Sequence, residues 1–215
     1  MRAIAARIGD DLMQGKRVLW LVSGGSNVAA EVAVMQMLTA ESKDKLQNLA
    51  ILPMDERYGP QGHKDSNTEQ LRVAGFSVGA ATWVDILMHG LSFEQTIHFY
   101  GEVVGAALAN AGSVIGQFGL GGDAHTAGIL PGSPAVKPTE AAVVGYEWND
   151  YQRMTLTPIV LAKVQAGYVL AYGEGKKDAL KRLQKNTESL QKLPAKILYE
   201  ISEVSIYNDY IKSEG

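Results

Sequence analysis

The sequence predicts an α/β fold: an open, largely parallel twisted sheet with helices on both faces, a Rossmann-like three-layer arrangement whose ligand site lies at the carboxyl ends of the strands. Two observations predict it. Short apolar runs rich in β-branched residues alternate with longer helix-periodic segments, and the first strand, helix and second strand fall within about 40 residues, the span of a βαβ crossover. Three polar, glycine-bearing motifs also follow directly on apolar runs, where open parallel sheets gather their ligands.

Ile4, Ile8 and Leu12 recur at helical spacing and Gly15 follows as a stop, so the chain opens with an amphipathic helix. "RVLWLVS" reads as a buried strand ended by Gly24 and Gly25. From Ser26 the pattern turns helical through "NVAAEVAVMQMLTAE", and "NLAILPM" is a second buried strand. "SFEQTIHFYGEVVGAALANA" is a helix with Ser92 and Gln95 placed for a capping box, and "SVIGQFG" is the strand after it. "RMTLT" and "VQAGYVLAY" supply two more strands, "GKKDALKRLQK" a charged surface helix, and "EVSIYN" a last short strand. No internal repeat, low-complexity segment or long linker interrupts this grammar, so residues 1–215 are expected to form a single domain.

Composition narrows the function classes. The chain has 215 residues, a formal net charge of -3 and 46% hydrophobic residues, with a pI near 5.8. It offers no basic stripe to neutralise a run of phosphates, so nucleic acid is not an expected partner. The absence of cysteine excludes disulfides, thiolate ligands and a cysteine nucleophile. No apolar run reaches the ~18 residues of a membrane span, and Asp10 and Asp11 interrupt what a signal peptide would keep apolar. A cytoplasmic protein without a membrane partner is the expectation; no motif marks an oligomer interface.

The first motif, "SGGS" from Ser23 to Ser26, joins a strand to a helix. Its glycines let backbone N–H groups approach an anion at the positive end of the helix, although such a turn also serves as a plain βα connection. No Gly-Lys-Ser/Thr makes it a Walker loop, and no GxGxxG follows the strand. The second, "MDERYGPQGHKDSN", brings Asp55, Glu56, Arg57, His63, Asp65, Ser66 and Asn67 beyond the second strand. It is either a solvated loop with an N-cap at Ser66 or Asn67, or a site where Arg57 clamps an anion or polarises a carbonyl. The third, "GLGGDAHTAGILPGS", sets Asp123 two residues before His125, close enough to fix the imidazole tautomer and raise its basicity. A lone histidine is also a common structural hydrogen-bonder, and without a third ligand at suitable spacing the pair does not make a metal site. His89 and His98 are assigned no role.

Together these motifs resemble the 6-phosphogluconolactonase family, within the larger group that includes the glucosamine-6-phosphate isomerases/deaminases. The resemblance runs through Ser23 to Ser26, Asp55 to Asn67, Gly121 to Gly132, Arg153 to Thr155 and Gly173 to Lys176, in family order. It implies hydrolysis of a sugar-phosphate lactone, with His125 activating water, Asp123 orienting it and Arg57 facing the developing oxyanion. Substrate and phosphate contacts are expected from Ser23, Gly24, Gly25, Ser26, Asp55, Glu56, His63, Asn67, Arg153 and Lys176, with no metal or organic cofactor. The deaminase branch looks like "DEY" where this chain has Asp55-Glu56-Arg57, and it carries an acid soon after its Gly-His; here no acid follows His125 before Glu140.

The chain departs from the family pattern at Ala124, where a glycine is usual, and at Asn27-Val28, where Thr-Pro is frequent. If residue 124 has φ > 0, alanine there costs ~1 to 2 kcal/mol; if φ is negative the change is nearly silent. Two rivals to the lactonase reading stay open on the sequence: a glucosamine-6-phosphate isomerase/deaminase and a non-catalytic sugar-phosphate sensor.

Overall fold

The computed structural model describes residues 1–87, 90–149 and 151–210, so His89 lies outside the described residues. The chain forms α1 (Arg2–Met13), β1 (Val18–Val22), α2 (Val28–Glu41), β2 (Leu49–Pro53), β3 (Asp55–Arg57), α3 (Asn67–Val73), β4 (Thr82–Trp83) and α4 (Phe93–Asn110). It continues through β5 (Ser113–Gly119), β6 (Val143–Trp148), β7 (Tyr151–Leu156), α5 (Pro158–Leu161), β8 (Ala166–Ala171), α6 (Lys177–Lys185) and β9 (Glu203–Asn208).

Six strands build the main sheet in the order β4-β2-β1-β5-β8-β9, and every pairing in it is parallel. Its central strands are apolar on both faces because both faces are covered. Along β1, Val18, Trp20 and Val22 enter one core with Ile4, Ile8 and Leu12 of α1 and Val34, Met35 and Leu38 of α2. Leu19 and Leu21 enter the other, with Tyr100 and Val104 of α4 and Leu180 and Leu183 of α6. Each such buried aliphatic side chain contributes ~1.5–3 kcal/mol. The capping box expected at α4 is present, with Ser92 accepting from the Gln95 amide and Gln95 accepting from the Ser92 amide.

"RMTLT" is a strand, but not of the parallel sheet. It lies in β7, the centre of a separate three-stranded sheet ordered β3-β7-β6, in which both pairings are antiparallel. The reason is geometric: β7 follows β6 within a few residues, a connection long enough only for an antiparallel return. This small sheet packs on the α4 side of the main sheet through Met154, Leu156, Val143 and Tyr146.

The order of the main sheet reverses between β1 and β5: the chain moves outward through β2 and β4 on one side and through β8 and β9 on the other. Adjacent strands whose connections diverge leave a crevice beyond their carboxyl ends. Ser23 follows β1 there and Leu120 follows β5.

Asp11 ties the far end together. It is 3% exposed and accepts from Lys16 Nζ at 2.6 Å, Ser113 Oγ at 2.6 Å and Arg7 Nε at 3.2 Å, joining α1 to the start of β5. Burial alone would push its carboxyl up, but the bonds from Lys16, Ser113 and Arg7 outweigh it and hold the group below the usual carboxylate range. Its contribution is therefore present above that range and is lost as pH falls through the native value. Asp11→Ala is expected to lower the unfolding free energy by ~2 kcal/mol at neutral pH, chiefly by stranding the Ser113 hydroxyl, as measured by chemical denaturation.

Candidate active site

The crevice holds a cavity of about 150 Å3 lined by Ser23, Gly24, Gly25, Ser26, Asp55, Arg57, Asn67, His125, Arg153 and Lys176, together with other residues of the 119–130 loop. Nearly every residue expected at the site meets here, drawn from five separate stretches of chain. A larger apolar groove of about 360 Å3 lies toward the amino ends of β1, β2 and β4, and its lining carries no carboxylate and no imidazole.

His125 is held from below by its own loop. Its Nδ1 lies 2.6 Å from Asp123 Oδ1, and its backbone N–H donates to the same oxygen at 3.0 Å. With Nδ1–H donating to a carboxylate, the proton assignment leaves the Nε2 lone pair free to face the cavity. The bond from His125 pulls Asp123 down to about 2, so this carboxylate stays ionised at any working pH. Asp123 itself does not line the cavity; it acts on the ring rather than on a ligand.

The loop has unusual backbone. Ala124 has φ 71° and Ala127 φ 49°, left-handed values that alanine adopts at a cost of ~1–2 kcal/mol. The open question at Ala124 is thereby answered: the residue does need φ > 0. What holds it there is visible. Ala124 N–H donates to Gly121 O at 2.9 Å, Gly121 N–H donates to His125 O at 2.8 Å, and Ala195 N–H donates to Ala124 O at 3.0 Å. Arg182 reaches over from α6, donating to Asp123 O at 3.2 Å and Lys192 O at 2.7 Å while paired with Glu188 at 2.7 Å.

Two glycines of this loop make room for neighbouring side chains of the protein itself. A Cβ on Gly121 would stand 2.1 Å from His125 Nδ1, and one on Gly128 would stand 2.4 Å from Asp55 Cβ. Both glycines are needed for the imidazole and the buried carboxylate to sit where they do.

Arg57 and Arg153 are direct cross-strand partners in the β3–β7 pair, facing one another at one register position. Two cations placed so repel unless something negative lies between them. Arg57 Nη1 donates to Asp65 O at 2.8 Å, and Arg153 lies over the Tyr151 ring at 5.3 Å. The Nε of each is buried without a partner. Asp55, 6% exposed, lines the same cavity; burial pushes it up, the Arg57 charge working against that.

Two residues expected as substrate contacts lie off the cavity lining. Glu56 is fully buried and does not line the cavity. Its carboxylate accepts from the amides of Arg57 (2.8 Å), Asn67 (2.7 Å) and Thr68 (3.0 Å) and from Ser66 Oγ (3.0 Å). It therefore neutralises the start of α3, a helix N-terminus that attracts negative charge. His63 also lies off the cavity lining, with its Nε2 donating to Arg57 O at 2.9 Å. Both residues shape the loop that presents Arg57. Asn67 does face the cavity, its Nδ2 donating to Asp55 O at 2.9 Å.

The SGGS turn holds a residue the sequence reasoning missed. Glu31, fully buried in the first turn of α2, accepts from Ser23 N–H at 2.8 Å and from Gly24 N–H at 3.1 Å. The Gly24 amide is thus already committed and is not free for a phosphate. The amides that open the helix at Gly25 and Ser26 have no intrahelical acceptor. A single carboxylate in the apolar run "NVAAEVAVM" was the available signal. Among the described residues no group of three His, Cys, Asp or Glu could hold a metal ion, and no helix is long and apolar enough to cross a membrane.

Residues 1–206 match the family model described as glucosamine-6-phosphate isomerases/6-phosphogluconolactonase. The chain belongs to this family. It is 25% identical over 182 residues to a 6-phosphogluconolactonase of Pseudomonas aeruginosa, covering 80% of this chain and 74% of that one. The fold is similar to that of a 6-phosphogluconolactonase from Shewanella baltica, with TM-score 0.76 at 20% identity over 96% of this chain and 91% of that one. It is equally similar to that of a monomeric glucosamine-6-phosphate deaminase, with TM-score 0.76 at 19% identity and the same coverage. These likenesses establish the α/β architecture; the two activities share it.

Ala124→Gly relieves the left-handed strain, ~1–2 kcal/mol, but removes a buried methyl and adds chain entropy to the unfolded state, together of similar size. The unfolding free energy is therefore expected to change by less than about 1 kcal/mol, measured by urea denaturation. A larger loss would mean that the Ala124 methyl packs the loop more than its backbone strains it.

Proposed function

We propose that this protein hydrolyses 6-phospho-D-glucono-1,5-lactone to 6-phospho-D-gluconate, with residues 1–215 acting as one lactonase-like domain. One observation carries the reading: a carboxylate-oriented imidazole faces the same small cavity as two arginines with unpartnered Nε atoms, a lysine and a helix N-terminus. That is a water-activating group beside a cradle for anions.

In this scheme His125 Nε2 takes a proton from water as the water oxygen bonds to the lactone carbonyl carbon. Asp123 stabilises the imidazolium that forms. Charge on the former carbonyl oxygen develops near Arg57, whose contact is worth ~10²- to 10³-fold. Collapse of the tetrahedral intermediate breaks the bond from that carbon to the ring oxygen, which leaves with the proton returned by His125. The distant phosphate rests on the Gly25 and Ser26 amides with Arg153 and Lys176, so its binding energy orients the lactone. No step calls on a metal or an organic cofactor.

The deaminase fold is equally close, so activity on glucosamine 6-phosphate is the rival outcome. The stretch after His125, Thr126 to Gly132, supplies no acid for ring opening and isomerisation, which favours the lactonase.

Two measurements test this. His125→Ala is expected to lose ~10²- to 10⁴-fold in kcat on freshly generated 6-phosphogluconolactone after subtraction of spontaneous opening. Parent-like turnover would overturn the base assignment, and ammonia release from glucosamine 6-phosphate by the parent would shift the reading to the deaminase. Arg153→Met and Lys176→Met should each raise KM for the phosphorylated lactone by about tenfold or more, with little change on an unphosphorylated lactone. Equal losses on both substrates would remove the phosphate role.

A further inference from the structure

Glu31 is a carboxylate where an anion site would least be expected to keep one. It sits fully buried in the first turn of α2, and its Oε1 accepts from two consecutive amides of the turn, Ser23 at 2.8 Å and Gly24 at 3.1 Å, and from Ser23 Oγ at 3.4 Å. Oε2 makes only a longer contact with Gly24 N at 3.2 Å. Asn27 Nδ2 donates to Ser23 Oγ at 3.0 Å and closes the turn from its other side. The next two residues, Gly25 and Ser26, line the cavity. A ligand phosphate resting there would therefore lie one residue along the chain from a residue already bound by a carboxylate.

The neighbours of Glu31 come from several elements and offer its charge little relief. From β3 comes Asp55, a like charge. From α3 comes Asn67, which is neutral and packs against Gly24. Met1 lies on the outer side of the turn, in a groove shared with Ser26, Asn27 and Ala29. The cations Arg57, Arg153 and Lys176 line the cavity itself, which Glu31 does not.

We propose that Glu31 is a positioning residue that takes up a proton from solvent when a phosphorylated ligand binds. Its Oε1 holds the Ser23 and Gly24 amides in both forms, and a proton on Oε2 removes the charge that would oppose the incoming phosphate. The free protein is poised for this, because burial pushes Glu31 up to about 7, where a small added repulsion completes protonation. The choice of probe rests on the lactonase reading; the proton linkage does not.

The test is isothermal titration of 6-phosphogluconate into the whole protein at pH 7.5 in buffers of differing ionisation heat, parent against Glu31→Gln. The phosphate's own titration near pH ~6 contributes equally to both. The parent is expected to take up about three quarters of a proton more than E31Q, as a carboxyl that titrates at about 7 and is mostly ionised at pH 7.5 requires; equal uptake overturns the proposal. Inorganic phosphate is run as a second probe. If it binds with the Glu31-dependent proton while 6-phosphogluconate does not bind, the lactonase reading fails and the linkage stands; if neither binds, both fail. Should E31Q not fold, infrared difference spectra of the parent read the same event: phosphate must convert a carboxylate band into a protonated-carboxyl band, and its absence overturns the proposal.

Discussion

Between β1 and β5 the connections of the parallel sheet run in opposite directions, so the helix leaving β1 and the loop leaving β5 diverge from neighbouring strand ends. No backbone fills the gap, and every polar group of the site is placed by reference to it. The SGGS turn starts α2 on one rim, and the Asp123–His125 loop stands on the other. Residues brought by the small antiparallel sheet close the third side through Arg57 and Arg153. Without the reversal, these groups would be spread along one edge of the sheet with no common cavity.

The electrostatics of that cavity are balanced rather than simply basic. Arg57 and Arg153 repel across the β3–β7 pair, and Asp55 and Glu31 are carboxylates that burial pushes up. Each opposing charge lowers the stability of the empty site. For Glu31 the sign is clear: its folded value lies above the usual carboxylate range, so stability falls as pH rises from that range to about 7. Arrangements that oppose folding in this way are found where a ligand will later complete the charge balance.

The loop around His125 stores strain of a different kind. Two alanines with left-handed backbone are tolerated because neighbouring structure over-determines them. Thr155 and Tyr146 of the small sheet donate hydroxyl hydrogen bonds to Ala127 O and Gly128 O, and Arg182 and Ala195 fix the other end through Asp123 O and Ala124 O. The imidazole is therefore held by parts of the chain far from it in sequence. Replacement of the family's usual glycine by alanine is absorbed locally, with Ala124 fully buried and the Asp123–His125 bond intact.

The sequence by itself determined the parallel sheet, its flanking helices and the stretches that meet at the cavity, because hydrophobic periodicity, capping and glycine-bearing turns are local signals carried by neighbouring residues. It also carried the family resemblance, since the motifs keep their order along the chain. Only the tertiary structure decided the rest. A three-residue strand such as β3 has no period of its own and exists through its pairing with β7, nearly a hundred residues later. Glu56 and His63 were expected as ligand contacts from the family resemblance, but the helix end and the backbone carbonyl they satisfy are defined only when α3 and Arg57 are in place. Glu31 was hidden in an apolar helix, and the sign of φ at Ala124 depended on its hydrogen bonds to Gly121 O and from Ala195 N–H. In each case the deciding partner is distant in sequence or set by loop closure, and no local pattern encodes it.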